Sequence, residues 1–335
     1  MTASLGVEAA MNPVGRPRGD DTNQIGTLPA YVLITPARNE EEFIEKTIES
    51  VVHQTILPLK WVIVDDGSTD ATGDIVSRYL EQSPWIELVQ RNQRQGRSFA
   101  GKVHAFNAGF ERVRDLPYEV IGNLDGDISF DRDHFEFLLG KFSEDPCLGV
   151  AGTVFNEDGY SSATDSFEGQ RHVAGQCQLF RKQCWTEIGG YVPHREGGVD
   201  WMAVITARMM GWKTRSFREK AFFHQRHLGT AGRGRVASSF AYGKKDYFMG
   251  GHPVWESFRV AYQMAKQPYC VAGLALGAGY GWALLRRMPR PVSRELMAFH
   301  RKEQMAKLKR ILKSLLMFKP VDNFKVLAGH QDSKV

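Results

Sequence analysis

The sequence predicts an α/β protein with a mostly parallel central sheet and helices on both of its faces. Three observations predict this fold. Short apolar runs rich in β-branched residues recur along the first half of the chain, a stretch with helical spacing follows almost every run, and the loops between them are polar or acidic. Because the carboxyl ends of parallel strands open on one edge of a sheet, we expect these loops to share one crevice.

The first element is a predicted buried strand at residues 30–35, which ends at Pro36. The loop that follows contains Arg38 and Glu40, and residues 41–54 have the apolar spacing of a helix. The unit is therefore a strand, a charged loop and a helix.

The second strand is predicted at residues 61–64 and ends at the adjacent carboxylates Asp65 and Asp66. Residues 68–70 are good caps for the next helix, but capping by these residues leaves the paired carboxylates unexplained. Carboxylates accept hydrogen bonds from a base imide or a ribose hydroxyl. We interpret the pair as a nucleotide-binding element, with a purely capping role as the alternative.

The third strand is predicted at residues 86–89 and the fourth at residues 120–124, with helices at residues 101–112 and 133–142. These elements repeat the alternation of strand and helix. The predicted sheet thus has at least four strands, and the fourth ends at an acidic loop.

That loop contains Asp125 and Asp127, separated by one glycine, at the carboxyl end of the fourth strand. Hard cations such as Mg²⁺ or Mn²⁺ take oxygen ligands and often bridge a protein carboxylate to a diphosphate. Asp-Gly-Asp is also good turn chemistry, which is the alternative for this motif taken alone.

Several segments, in this order and strand context, resemble the inverting glycosyltransferases of family 2, which have the nucleotide-sugar-binding GT-A fold. The resemblance covers roughly residues 30–227. The segments that carry it are residues 34–40, 62–70, 101–109, 124–127, 189–191 and 198–211.

The resemblance implies a nucleoside diphosphate sugar as donor and a divalent metal cofactor, Mn²⁺ or Mg²⁺. It implies that Glu40 and Asp66 hold the nucleoside, that Asp125 contacts the ribose or the metal, and that Asp127 is a metal ligand. The predicted donor-binding residues are Pro36, Arg38, Glu40, Asp65, Asp66, Lys102 and Asp125.

The resemblance further implies that Asp200 is the catalytic base that deprotonates the acceptor hydroxyl, with inversion at the sugar. The chain has Val199-Asp200 where the family usually has Glu-Asp, and a helix N-cap is the alternative role for Asp200. His224 is the candidate third metal ligand, with a core or surface histidine as the alternative. Arg226, Arg233 and Arg235 suit a lid over a diphosphate or a solvated basic loop.

The C-terminal part predicts contact with a membrane. Residues 269–285 are uncharged, but this run is shorter than the roughly 20 residues that a membrane span needs. A buried core helix or a re-entrant, interfacial segment is the alternative. Residues 294–316 have the pattern of a basic amphipathic helix, which either lies on an anionic membrane or packs on the catalytic domain.

Four regions follow from these patterns. They are a flexible arm at residues 1–28 without a secretory signal, a catalytic domain at 29–235, a helical membrane-associating region at 236–320 and a flexible tail at 321–335. The net charge of +5 does not require a nucleic-acid partner.

We therefore expect a glycosyltransferase at the cytoplasmic face of the plasma membrane. It would move one sugar, from a UDP-sugar by preference, to a lipid-linked glycan. The chain lacks the Gln-x-x-Arg-Trp motif of processive synthases of the family. A sugar nucleotidyltransferase and a non-catalytic membrane scaffold are the rival interpretations.

Overall fold

A computed structural model describes residues 27–92, 99–165, 169–194, 197–226, 234–266 and 269–318. Most of the predicted arm and all of the predicted tail lie outside these residues. The strands of the described part are β1 (Tyr31–Ala37), β2 (Lys60–Asp65), β3 (Ile86–Gln90), β4 (Val120–Leu124), β5 (Ile128–Phe130), β6 (Leu148–Glu157), β7 (Tyr160–Ser161), β8 (Cys177–Arg181) and β9 (Lys213–His224).

Helices alternate with the first strands and then dominate the C-terminal part. They are α1 (Ile44–Val52), α2 (Thr72–Leu80), α3 (Phe99–Phe110), α4 (His134–Glu144), α5 (Ser162–Asp165), α6 (Lys182–Glu187), α7 (Val199–Met209), α8 (Arg235–Phe248), α9 (Pro253–Met264), α10 (Val271–Leu285) and α11 (Arg294–Leu316).

The strands form a single mixed sheet in the order β3-β2-β1-β4-β8-β6-β9-β5, with β7 paired to β6. The half from β3 to β4 is parallel, as predicted. The prediction of a mostly parallel sheet is wrong for the other half, which is mixed. There β6 and β9 pair in parallel, but β8 runs antiparallel to both β4 and β6, and β5 runs antiparallel to β9. The charged residues of β9 hide its partly buried character from a search for apolar runs.

Helices cover both faces of the sheet, as predicted. Side chains of β1 alternate between two cores. Leu33 packs in a core that includes Ile48 of α1, whereas Ile34 packs in another that includes Phe106 of α3 and Val204 of α7. The carboxyl ends of β1, β2 and β4 consequently lie side by side between these two layers.

The first strand is longer than predicted. It continues through Pro36, which is in register with Val64 of β2, and ends at Ala37. The backbone N–H of Asp66 donates to the carbonyl of Ala37 at 2.9 Å, so the two loops are joined directly beyond the strands. Pro36 is thus a strand residue and not the first residue of the loop.

The C-terminal helices pack closely on one another and on the catalytic domain. A Cβ atom on Gly243 of α8 would overlap the carbonyl oxygen of Leu276 in α10, so these helices approach at backbone distance. Arg208 of α7 forms a two-pronged ion pair with Glu303 of α11, with 2.9 Å between Arg208 Nε and Glu303 Oε1. Within the described residues, no helix has both the length and the apolarity to cross a membrane.

Candidate active site

The loops after β1 and β2 are interlocked by short-range hydrogen bonds. The backbone N–H of Glu40 donates to Thr72 Oγ1 at 2.8 Å, and that of Ser68 donates to Asp65 Oδ1 at 2.8 Å. Asp65 is buried and stabilises the turn ahead of α2. A purely structural role in this turn therefore explains Asp65, but it does not explain its neighbour Asp66.

Asp66 is buried and has an arginine partner from the next strand. Arg91, directly after β3, donates from Nη1 to Asp66 Oδ1 at 2.7 Å. The pair lies at the carboxyl edge of the sheet, where β2 and β3 end. Arg38 is half-buried just beyond β1, and Pro36 precedes it inside the strand.

Asp125 is held by a lysine from α3. Lys102 Nζ lies 2.5 Å from Asp125 Oδ1, and Asn123 Nδ2 lies 3.4 Å from the same oxygen. Burial raises the pKa of Asp125 above its usual value, although the Lys102 ammonium opposes that shift. Asp125 therefore belongs to an ion pair at the centre of the edge, and only its second oxygen is left for a ligand.

Asp127 and His224, two of the predicted metal ligands, face each other. Asp127 Oδ2 lies 3.4 Å from His224 Nε2, and the other ring nitrogen, Nδ1, lies 2.7 Å from Glu157 Oε1. Burial lowers the pKa of His224, but the two flanking carboxylates outweigh it and the net shift is upward. Glu157 thereby fixes the ring so that Nε2 points at Asp127.

Arg226 connects this pair to the first loop. Its Nη2 donates to Glu40 Oε2 at 2.6 Å, and its Nε lies 3.7 Å from Asp127 Oδ2. Burial would raise the pKa of Asp127, yet His224 and Arg226 hold it below its usual value. Arg226 is thus part of the charged cluster itself. Arg233 lies outside the described residues, and the structure does not describe the side chain of Arg235.

The side chains around Asp127 and His224 fit a divalent cation that takes its remaining ligands from water and from substrate phosphates. Within the described residues, no three His, Cys, Asp or Glu side chains are grouped to hold a metal ion. The Asp127 carboxylate and His224 Nε2 nonetheless face each other, with a carboxylate behind the imidazole as at many metal centres. Mg²⁺ commonly uses one or two carboxylates and completes its shell with water and substrate phosphates.

Asp200 lies in the first turn of α7, and Gly198 occupies the N-cap position with φ +79°. The alternative role of Asp200 as an N-cap is therefore wrong. A Cβ atom on Gly175 would overlap the Asp200 carboxylate, so the glycine makes room for it. Burial alone would raise the pKa of Asp200. The positive charges of Lys245, His172 and Lys102 outweigh burial, so the net shift of this pKa is downward.

Lys102 shows that the acidic loops converge. Its ammonium interacts electrostatically with Asp125, Asp200 and Asp127. Asn123 completes the connection, because its Nδ2 donates at 2.6 Å to the carbonyl of Gly175, whose Cα lies against Asp200. The predicted residues from β1, β2, β4 and α7 are therefore on one side of the molecule.

Sequence reasoning missed three residues of this crevice. Arg91 follows the carboxyl end of a predicted strand, so the rule that found Arg38 could have found it as well. Glu157 ends β6, a strand that the alternation of the first half does not predict. Lys245 lies on α8 and carries no local motif.

The sheet order and the acidic crevice at the ends of β1, β2 and β4 define a GT-A-like α/β protein. Similarity to solved structures confirms this fold class. Because their sequence identity to this chain is low, the similarity shows the fold and nothing more. A mannosyltransferase from Pyrobaculum calidifontis, in complex with GDP-Man and Mn²⁺, aligns with a TM-score of 0.52 and 19% identity over 92% of this chain and 89% of that one. TarS 1–349 from Staphylococcus aureus, in complex with UDP-GlcNAc, aligns with a TM-score of 0.51 and 13% identity over 91% and 92%.

Residues 32–193, just under half of the chain, match the family model described as glycosyl transferase family 2. The hyaluronan synthase of Pasteurella multocida is 24% identical over 192 residues, which are 54% of this chain and 19% of the synthase. The chain thus spans about a fifth of the length of that relative. Asp200 and His224 lie beyond the region that the family model matches.

Proposed function

We propose that this protein transfers a single sugar from a nucleoside diphosphate sugar, by preference a UDP-sugar, to a hydroxyl group of a glycan acceptor. The observation that carries the proposal is the convergence of three carboxylates at one edge of the sheet: Lys102 holds Asp125, Asp127 faces His224, and Gly175 joins Asn123 to Asp200. The match to the model of glycosyl transferase family 2 supports the reaction class. The UDP-GlcNAc complex of TarS supports the choice of donor.

On the donor side, Glu40 and Asp66 offer carboxylate acceptors to the nucleoside. Asp127 and His224 would hold a divalent ion, Mn²⁺ or Mg²⁺, which supplies Lewis-acid stabilisation to the departing diphosphate. Arg226 and Lys102 already lie among these carboxylates and add positive charge beside the same phosphates. The leaving group is thereby bound where its negative charge develops.

On the acceptor side, Asp200 takes the proton from the incoming hydroxyl. Its lowered pKa keeps the carboxylate ionised at neutral pH, which is the form that a base needs. The acceptor oxygen then attacks the anomeric carbon as the bond to the diphosphate breaks. One direct displacement inverts the anomeric configuration.

The outer face of α10 supports a membrane-linked acceptor at the inner face of the plasma membrane. Four large apolar side chains lie exposed at helical spacing along this face. They are Val271, Leu274, Trp282 and Leu285. Arg286 lies over the Trp282 ring, with its Cζ 4.6 Å from the ring centroid, as a cation at a headgroup layer would.

By contrast, α11 packs largely on the protein. Leu308 and Ile311 are buried in a cluster with Trp255, whereas Leu315 and Leu316 near its end are exposed. The predicted amphipathic face of α11 is therefore divided between the protein core and solvent. Its contact with a membrane stays a prediction.

Release of UDP tests the reaction. Wild-type protein with Mn²⁺ should release UDP or GDP from one of UDP-GlcNAc, UDP-glucose or GDP-mannose, and Asp127→Asn should not. Asp131→Asn is the matched control, because the Asp131 carboxylate is 75% exposed and makes a loose ion pair, with 3.8 Å between its Oδ2 and Lys220 Nζ. Release of pyrophosphate would instead identify a nucleotidyltransferase, and no turnover of any donor would contradict the proposal. Transfer from an α-linked donor should give a β-linked product by NMR.

Vesicle sedimentation tests the membrane contact. Wild-type protein should sediment with vesicles that contain phosphatidylglycerol, and the double variant Leu274→Ser, Trp282→Ser should stay in the supernatant. Leu57→Ser is the control, since Leu57 is an exposed leucine on the catalytic domain. Equal sedimentation of all three proteins would contradict the role of α10.

A further inference from the structure

A cavity of about 280 Å³ lies between the catalytic sheet and the C-terminal helices, and Asp200 is in its wall. The catalytic domain contributes Tyr160 and Trp201, and α8 contributes Tyr242 and Lys245. Its volume is close to the lower end, roughly 300 Å³, of the range usual for small-molecule sites. The helical region therefore forms one wall of a space that begins at the candidate base.

The contact between α8 and α7 is unusually close at the turn that bears Asp200. A Cβ atom on Gly198, two residues before Asp200, would lie 3.0 Å from Lys245 Cε and 2.6 Å from Met249 Sδ. Lys245 consequently crosses the N-terminal end of α7. It is half-buried there and forms no ion pair with another described residue.

We propose that α8 completes the acceptor side of the active site, with Lys245 as a positioning residue for the Asp200 carboxylate and Tyr242 and Trp201 as walls for an acceptor sugar. The inference rests on the proposed function, because it takes Asp200 as the base. Aromatic side chains with a polar tip suit a sugar ring, which has both apolar and hydroxyl-bearing faces.

Other titratable groups also face Asp200. They come from separate elements: His172 from the segment before β8, Lys102 from α3 and the Tyr191 hydroxyl from the loop after α6. In the same cavity, Arg259 of α9 is paired with Asp246 of α8, so Arg259 is already compensated. Lys245 is the cation that the helical region adds to the field at Asp200.

The direction of the effect follows from the charge of Lys245. An ammonium beside a carboxylate favours the ionised form and lowers the pKa of that carboxylate. Loss of the ammonium therefore raises the pKa of Asp200. Because the base acts ionised, the acidic limb of the pH profile should move to higher pH, while the rate at alkaline pH changes less.

The test compares pH profiles of UDP-GlcNAc turnover, with Mn²⁺, for wild type and Lys245→Gln. We expect the acidic limb to move up by about one pH unit, the smallest shift usual for a close opposite charge. Lys245→Arg should restore the wild-type limb. Lys244→Gln is the matched control from the same helix, where Lys244 lies over the Phe248 ring instead. UDP affinity should be the same in all four proteins.

Superimposable profiles for wild type and Lys245→Gln would overturn the inference and leave the proposed function intact. A wild-type protein that turns over none of UDP-GlcNAc, UDP-glucose and GDP-mannose would contradict the proposed function itself, and if another of these donors is the one used, it replaces UDP-GlcNAc in the pH profiles. A second measurement needs no turnover: ¹³C NMR of carboxyl-labelled aspartate follows the ionisation of Asp200, whose signal is absent in Asp200→Asn. The Asp200 midpoint should rise in Lys245→Gln, and an unchanged midpoint would also overturn the inference.

Discussion

The two sides of the crevice balance their charges differently. On the donor side, each candidate carboxylate that faces the crevice touches a basic side chain: Arg91 lies on Asp66, Lys102 on Asp125 and Arg226 on Glu40. On the acceptor side, Asp200 has no ion pair with any residue that the structure describes. Lys245 lies in the wall of the same cavity as Asp200, together with aromatic side chains.

Under the proposed function, this difference separates donor binding from proton transfer. Paired carboxylates on the donor side must exchange their partners when a cation and a diphosphate arrive, so changes there should alter affinity. A single carboxylate on the acceptor side stays ionised and accessible, so changes there should alter turnover. The predictions below break or sharpen that contrast, from the largest expected effect to the smallest.

Asp200→Asn should have the largest effect on turnover. Removal of a general base typically costs about 10²–10⁴-fold in rate. We expect a loss of this size in kcat, with UDP affinity within twofold of wild type by calorimetry. A parallel loss of UDP affinity would place Asp200 on the donor side and break the contrast.

Gly175→Ala should displace the Asp200 carboxylate without removing it, because the new methyl group would overlap that carboxylate. Misplacement of a catalytic group by about 1 Å can cost about 10²-fold in rate. Steady-state kinetics should show this loss in kcat. Gly140→Ala is the control, since a Cβ on Gly140 has no neighbour within 4 Å. Equal rates for the two variants would contradict the packing of Gly175 on Asp200.

Glu157→Gln should weaken the metal site on the donor side. Glu157 orients His224 from behind, and loss of such a partner typically costs about 10–100-fold in metal affinity. Activity should recover at higher Mn²⁺ concentration, which an acceptor-side variant would not show. The adjacent Asp158→Asn should keep wild-type affinity. A fall in kcat at saturating Mn²⁺, with unchanged metal affinity, would be the contrary result.

Gly243→Ala should have the smallest effect on chemistry and act through stability. Its methyl group would overlap the Leu276 carbonyl, and such overpacking typically lowers the free energy of unfolding by about 1–3 kcal/mol. Gly281→Ala, which meets no neighbour within 4 Å, should be neutral or stabilising by about 0.4–1 kcal/mol. Denaturant unfolding measures both, and equal stability would contradict the close packing of α8 on α10.

The parallel half of the fold was predictable because its strands are buried on both faces and alternate with helices. The carboxyl-edge rule then brought Glu40, Asp66, Asp125 and Asp127 together from their positions alone. Asp200 and His224 required the resemblance, since neither follows a predicted strand. The structure has all of these residues on one side of the molecule.

The rest depended on contacts between segments distant in the chain. Glu157 and His224 end β6 and β9, strands that pair in parallel although the apolar pattern predicts neither. Lys245 reaches the site only because α8 packs against the positive-φ Gly198. Within residues 269–285, Gly279 lets α10 approach α8, because a Cβ atom there would overlap the carbonyl oxygen of Phe240. The contact of this run with a membrane stays a prediction.

The most direct test of the shared crevice is a crystal structure of the full chain with UDP and Mn²⁺, with the metal located by its anomalous signal. We predict Mn²⁺ bonded to Asp127 and His224, the uracil or ribose beside Asp66, and Asp200 across an open space from the β-phosphate. A nucleotide bound elsewhere, or Mn²⁺ distant from both Asp127 and His224, would contradict the account.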